Sequence, residues 1–350
     1  MTLNVDLSYG TVFVHFAGTR CSVRKIPDFV RAYDSFTKSV SHTPYTVYAP
    51  TRNSQFILGL DGADNALILC CVEFSCLFLQ KLRGIVFSPL TRTAGEIRVS
   101  GKLINYEKVG SGDHVVLCLP GALGTIKSDF GPQLKSLPGE QLQLVAWDPP
   151  GYGKSRPPNR DFNFDSLHVD ATLAATMMKN LGYKKYSLLG WSDGGITAML
   201  LAAGFPQHVH KMVIFGANAY ITKEETEICK DLRDVDNWSP KMRAPLEAIY
   251  GRDYFKKAWE TWVDTYVGIY YDRGGDICKK DLANIVCPTL IVHGVQDPVV
   301  PIEHPYYLHE NIKGSELILM EKGKHNLHLR HSEEFNALVL KFLTNEKATV

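Results

Sequence analysis

The stretch SLLGWSDGGITAML, residues 187–200, decides how the rest of the chain is read. Residues 187–189 read as the end of a short buried strand, and the apolar, alanine-containing run after Gly195 reads as a helix. Between them, Gly190-Trp191-Ser192-Asp193-Gly194 fits G-x-S-x-G, the pattern of a strained strand-to-helix turn that lifts a serine hydroxyl above a sheet. Glycines suit its flanks because a Cβ there would strike the neighbouring strand or helix. The pattern alone is common, and an ordinary β-to-α turn also satisfies it. Its weight comes from the strand before it and the helix after it. Asp193, an acid directly beside the candidate nucleophile, demands a reason.

Outward from this turn, short apolar runs alternate with longer amphipathic segments from Glu96 onward. The runs are EIRVS, LINYEKV, VVLCLP, LQLVAW, YSLLG, MVIFG, TLIVHG and ELILME. Eight strands alternating with helices predict an α/β fold: an eight-stranded, mostly parallel sheet with helices on both faces. Between 164 and 183, Leu167, Ala171, Ala174, Met178 and Leu181 recur at helical spacing, with Asp165 or Ser166 to cap the start and Gly182 to end it. Its methionines read as core. Phe335, Leu338, Val339 and Phe342 form a similar stripe near the end of the chain.

One region breaks the alternation. Residues 221–284 contain no strand run but carry Trp238, Tyr250, Tyr254, Phe255, Trp259, Trp262, Tyr266, Tyr270 and Tyr271. An insertion of this size reads as a helical cap over the strand ends, where open α/β sheets bind ligands. Two or three of these rings are expected to line a pocket, and the others to pack cap against core. The expected division is a core of residues 96–220 and 285–345, a cap of 221–284, and an N-terminal extension of 1–95 that shows no sustained period or motif.

Composition narrows the partners. With 45% hydrophobic and 21% charged residues, the 350-residue chain has the makeup of a globular protein. A net charge of +1 leaves no broad basic footprint for nucleic acid or an anionic membrane. The longest greasy stretch, residues 66–80, is too short to span a bilayer and carries Glu73, so no membrane span is expected. Eight scattered cysteines read as free thiols of a reducing compartment. Cys70, Cys71 and Cys76 lack a second ligand pair at zinc spacing. No secretory signal opens the sequence, and residues 20–52 only faintly resemble a mitochondrial presequence because Asp28 and Asp34 intervene. The expectation is an intracellular protein, mitochondrial or cytoplasmic, acting as a monomer without metal or organic cofactor.

A serine hydroxyl needs a base to take its proton, and the base needs a carboxylate to fix its tautomer. In this architecture the partners follow in the order Ser, acid, His, each after a later strand. Asp297 stands just past TLIVHG and His325 just past ELILME, which makes Ser192, Asp297 and His325 the candidate catalytic set. His328 is the competing base; Glu321, Asp276 and Asp281 are weaker acids for the role. Two backbone N–H groups must face the developing oxyanion, one donor being worth about 3 to 4 kcal/mol. Asp193 supplies one, and either Ala122 or Leu123 of LPGALG the other. WDPPGYGKS mimics a phosphate loop in Gly153-Lys154-Ser155, but Asp148 stands where the first glycine belongs and two prolines remove an N–H donor.

Taken together these residues resemble the α/β-hydrolase family, including its DPPGYGKS loop. GWSDGG, GPQL, AWDPPGYGKSRPP, HKMVI, GANAY, IVHG, VP and GKHNLHLR resemble its valacyclovir hydrolase branch, also called biphenyl hydrolase-like, over residues 96–343. The resemblance implies a serine hydrolase of α-amino acid esters, with Ser192, Asp297 and His325 at the triad positions and Asp193 recognising the substrate amino group. A broader carboxylesterase or lactonase, and a carbon–carbon bond hydrolase, are the alternatives within the fold; a non-catalytic binding protein is disfavoured by the intact Ser, Asp and His set. Ala122 departs from the bulkier residue expected there, and residues 1–95 lie outside the resemblance. An α-ammonium about 4 Å from Asp193 would supply roughly 4 kcal/mol at an effective dielectric of 20, before desolvation.

Overall fold

The computed structural model describes residues 91–139 and 141–345 in full, and five N-terminal strands as backbone only. The chain divides into two compact units, Met1–Pro89 and Leu90–Val350. In the first, β1 (Thr11–Phe16), β2 (Thr19–Arg24), β3 (Tyr45–Tyr48), β4 (Gln55–Leu60) and β5 (Leu67–Val72) pair antiparallel in chain order. These strands are four to six residues long and were not recognised from the sequence. The side chains of Cys70 and Cys71, and all of Cys76, lie outside the described residues.

The second unit is built on β6 (Arg92–Val99), β7 (Lys102–Val109), β8 (His114–Leu119), β9 (Leu142–Trp147), β10 (Tyr186–Trp191), β11 (Val209–Phe215), β12 (Thr289–Gly294) and β13 (Glu316–Met320). All eight apolar runs are strands. They form one sheet in the order β13-β12-β11-β10-β8-β9-β7-β6. The pairs from β13 to β9 are parallel, and only β7 with β9 and β6 with β7 run antiparallel. The sheet begins at Arg92 rather than Glu96 because β6 pairs along its whole length with β7, from Arg92 opposite Val109 to Val99 opposite Lys102. That exposed start has no hydrophobic alternation to announce it.

Helices cover both faces, which is why the central strands read as continuous apolar runs. On one face α2 (Ser166–Asn180) and α3 (Asp193–Gly204) bury Ala174, Met177, Met178, Ile196 and Met199 against Val115, Leu117 and Leu119 of β8. On the other, α1 (Ile126–Ser136) and α9 (Ser332–Thr344) bury Phe130, Leu134, Phe335 and Val339 against Val116 and Cys118. Alternate residues of one strand thus serve two cores. Asp165 occupies the N-cap position of α2 but makes no capping bond. Its carboxylate instead accepts from Arg273 Nη1 at 2.8 Å, joining core to cap. Gly182 closes the helix at φ +90°.

Between β11 and β12 the cap comprises α4 (Lys223–Leu232), α5 (Pro240–Tyr250) and α6 (Arg252–Arg273). After it come α7 (Glu303–Asn311) and the single turn α8 (Leu327–Arg330). Trp238, Phe255 and Trp259 pack among themselves inside the cap. Among the described residues, no helix is long and apolar enough to cross a membrane. Packing behind Ser192 is tight: a Cβ at Gly194 would lie 1.9 Å from the Leu119 carbonyl oxygen. Gly194→Ala is expected to lower stability by more than about 3 kcal/mol, read as a drop in Tm or as insoluble protein. A variant that melts with the parent would show that β8 and α3 can separate.

Candidate active site

The turn after β10 is strained as the motif requires. Ser192 has φ +53° and ψ −123°, a region a serine enters only when its surroundings impose it. They do so by contact: a Cβ at Gly190 would lie 2.4 Å from the Gly194 carbonyl oxygen, and one at Gly195 would lie 2.6 Å from the Ala217 Cβ. The Ser192 N–H donates to the Phe215 carbonyl at 3.0 Å, pinning the turn to β11.

Loops after β12 and β13 bring the other two side chains to the same edge. His325 Nε2 lies 3.2 Å from Ser192 Oγ, and its Nδ1 lies 2.8 Å from Asp297 Oδ2. These contacts place the proton on Nδ1, leaving Nε2 free to accept from the serine. Asp297 is buried, and its other oxygen accepts the Val299 and Val300 N–H groups at 2.8 and 3.1 Å. Burial pulls its pKa upward, but the His325 hydrogen bond and charge, with those two N–H groups, hold it below the usual carboxylate value. It stays an anion. Trp191 Nε1 donates to the His325 carbonyl at 2.8 Å, so the residue before the serine also anchors the histidine loop.

The competitors stand elsewhere. His328 is fully buried with Nε2 2.9 Å from the Asp129 carbonyl, and its ring lies against Trp191 and Phe215. Asp276 accepts the Lys279 N–H, and Glu321 is exposed. Asp148 fills the false phosphate loop from within. Its carboxylate accepts the Ile126 and Lys154 N–H groups and the Asn105 amide at 2.8 to 2.9 Å.

The LPGALG loop has a definite donor inventory. Gly121 N–H bonds to Asp129 Oδ2 at 2.9 Å and Gly124 N–H to the Gly121 carbonyl at 3.0 Å. Ala122 and Leu123 N–H have no backbone acceptor among the described residues, and the Leu123 N–H faces the Tyr152 phenol. Asp193 opens α3, so its own N–H belongs to the unpaired first turn.

The Asp193 side chain turns inward. It is 6% exposed, with Oδ2 accepting from Trp262 Nε1 at 2.8 Å and Oδ1 from the Tyr266 hydroxyl at 2.7 Å. Those two donors sit four residues apart on α6, hence on one face, a signal the sequence carried without naming its target. Of the nine cap aromatics these two line the cavity beside Asp193, together with Tyr152, Arg160, Phe162 and Leu167. Burial raises the Asp193 pKa, and the hydrogen bonds from Tyr266 and Trp262 oppose the rise. Arg160, the nearby cation, is buried in a two-pronged pair with Asp170, at 2.9 and 2.6 Å. Sequence reading missed that pair because its ten-residue separation matches no local period.

Among the described residues, no group of three or more His, Cys, Asp or Glu side chains could hold a metal ion. Cys118, Cys278 and Cys287 are buried free thiols, and Cys229 is a half-buried one.

Residues 114–246 match the family model for the alpha/beta hydrolase fold. The chain is 52% identical over 251 residues to the human protein named serine hydrolase BPHL, an alignment covering 72% of this chain and 86% of that one. Identity to the Mus musculus protein of the same name is 53%, with the same coverage. A hydrolase of 2-hydroxy-6-oxononadienedioate from a Pseudomonas species is 28% identical over 72% of this chain and 94% of its own. Among solved structures, the 2-hydroxy-6-oxo-6-phenylhexa-2,4-dienoate hydrolase of Rhodococcus sp. strain RHA1 superposes with a TM-score of 0.61 at 17% identity. That alignment spans 73% of this chain and all of the other, and shows a shared fold.

The support beneath the loop is itself titratable. Burial raises the Asp129 carboxyl from 3.8 to about 7, opposed by its bonds from Ser128 and Gly121. The folded state therefore binds this proton more tightly than the unfolded chain. Stability is expected to fall as pH rises from about 4 through about 7, by up to roughly 1.4 kcal/mol per unit from this group. Asp129→Asn should flatten that slope in denaturant titrations, and an unchanged slope would assign it to other groups.

Proposed function

The chain belongs to the α/β-hydrolase family and is a hydrolase, and from that premise we propose that it cleaves small α-amino acid esters through Ser192, His325 and Asp297. In this reading Asp193 receives the substrate's α-ammonium group. His325 Nε2 takes the Ser192 proton as Oγ attacks the ester carbonyl. The tetrahedral oxyanion is met by the Asp193 N–H and by that of Ala122 or Leu123. Collapse breaks the ester bond, and the imidazolium returns its proton to the departing alcohol. Water then enters by the same route in reverse, releasing the amino acid and restoring the serine.

One observation carries the amine specificity. A buried carboxylate one residue from the nucleophile is held only by the neutral donors Trp262 and Tyr266, while Arg160 is engaged by Asp170. Asp193, Arg160 and Asp170 together leave one negative charge beside the cavity, and an ammonium group would balance it. An acidic dienoate of the kind named for the bacterial relatives would instead meet repulsion there. The same feature explains how an anion is tolerated near a developing oxyanion: it is neutralised when the proper substrate is bound.

Ser192→Ala should reduce ester turnover at least about 1,000-fold with an unchanged melt, and should abolish labelling by a fluorophosphonate. Retained turnover would remove Ser192 from the mechanism. Asp193→Asn should lower kcat/KM for an aminoacyl ester by roughly 10- to 100-fold while changing its des-amino analogue less than about threefold. Equal losses on the two esters would exclude amine recognition by this side chain.

A further inference from the structure

We infer that Tyr250, the last residue of α5, is a positioning residue for the oxyanion loop, reaching from the cap to hold the Leu123 peptide in place. The Tyr250 hydroxyl donates to the Leu123 carbonyl at 2.9 Å and accepts the Gly153 N–H at 3.1 Å. Both lone-pair and proton directions of one phenol are therefore used to join two core loops. Tyr250 is 5% exposed and Leu123 is fully buried, so water cannot replace these bonds without opening the site.

The loop needs such a hold. Leu123 has φ +52°, a left-handed conformation that a non-glycine residue adopts only when its surroundings impose it. Its other supports come from the core: Asp129 takes the Gly121 N–H, and Asp148 takes the Ile126 N–H. Between these anchors lie Ala122 and Leu123, whose N–H groups have no backbone acceptor among the described residues, that of Leu123 facing the Tyr152 phenol. Among the described residues, no group other than Tyr250 donates to the Leu123 carbonyl. If that carbonyl is released, relief of the positive φ rotates the adjoining peptide and takes a donor away from the serine. The cap would thus determine whether the hole is formed as well as what enters the cavity.

The inference rests on Ser192 chemistry but not on amine specificity, and its test separates the two. Tyr250→Phe keeps the ring packed near Tyr152 and Tyr254 while removing both hydrogen bonds. Rates are read per active site, titrated with a fluorophosphonate at a temperature below the melt of the variant, so that loss of folded protein does not enter. The expected result is a fall in kcat of about tenfold or more on an aminoacyl ester and on its des-amino analogue alike, with KM within about twofold. Binding of a boronic acid that mimics the tetrahedral species should weaken in parallel. A kcat within twofold of the parent, a change confined to KM, or a loss confined to the amino ester would each overturn the assignment.

Discussion

The architecture of the site depends on one steric fact: β10 must turn into α3 within van der Waals contact of β8 and β11. At Gly194 the carbonyl oxygen of Leu119 occupies the space a side chain would need. That closeness forces Ser192 to φ +53° and raises its hydroxyl toward the strand ends. It also brings Gly121, on the loop after β8, against the serine, since a Cβ there would lie 3.3 Å from the Ser192 Cβ. Nucleophile and oxyanion loop are therefore neighbours because two strands cannot be spaced further apart. The strain is borne by packing on both faces of the sheet.

Around this fixed turn the charges are arranged so that each buried ion has a distinct task. Asp297 is held ionised by His325 and two backbone N–H groups, which suits a group that must steady an imidazolium. Asp193, the residue after the serine, has only neutral hydrogen-bond donors on its carboxylate among the described residues. Arg160 and Asp170 close on each other and add no net charge. The two aspartates thus differ in partner rather than in burial. One is matched by a histidine and backbone donors, and the other by the neutral groups of the cap.

The cap supplies more than a roof. Trp262 and Tyr266 orient the Asp193 carboxylate, Tyr250 bonds the oxyanion loop, and Arg273 bonds the start of α2. These four side chains reach three different parts of the core. A helical insertion that merely excluded water would need apolar contacts alone. This one also bonds Asp193 and the loop after β8, so cap seating and the geometry beside Ser192 are mechanically joined.

Legibility in the sequence followed the range of the forces involved. The eight strands, the helices between them, the elbow and the order of Ser192, Asp297 and His325 were readable, because burial patterns and turn glycines are local and the fold dictates which strand ends carry which residue. Resemblance supplied the role of Asp193, but composition and spacing alone did not show its partners. Trp262, Tyr266, Tyr250, Asp129 and the Arg160–Asp170 pair became visible only when the chain was folded. Their bonds join residues from 8 to 127 positions apart. A hydrogen bond between distant elements leaves no periodic trace, since either partner alone is an ordinary core or surface residue. Sequence by itself determined the framework and the order of Ser192, Asp297 and His325, while tertiary structure decided the partners of Asp193 and the support of the Leu123 loop, because both depend on where the cap comes to rest.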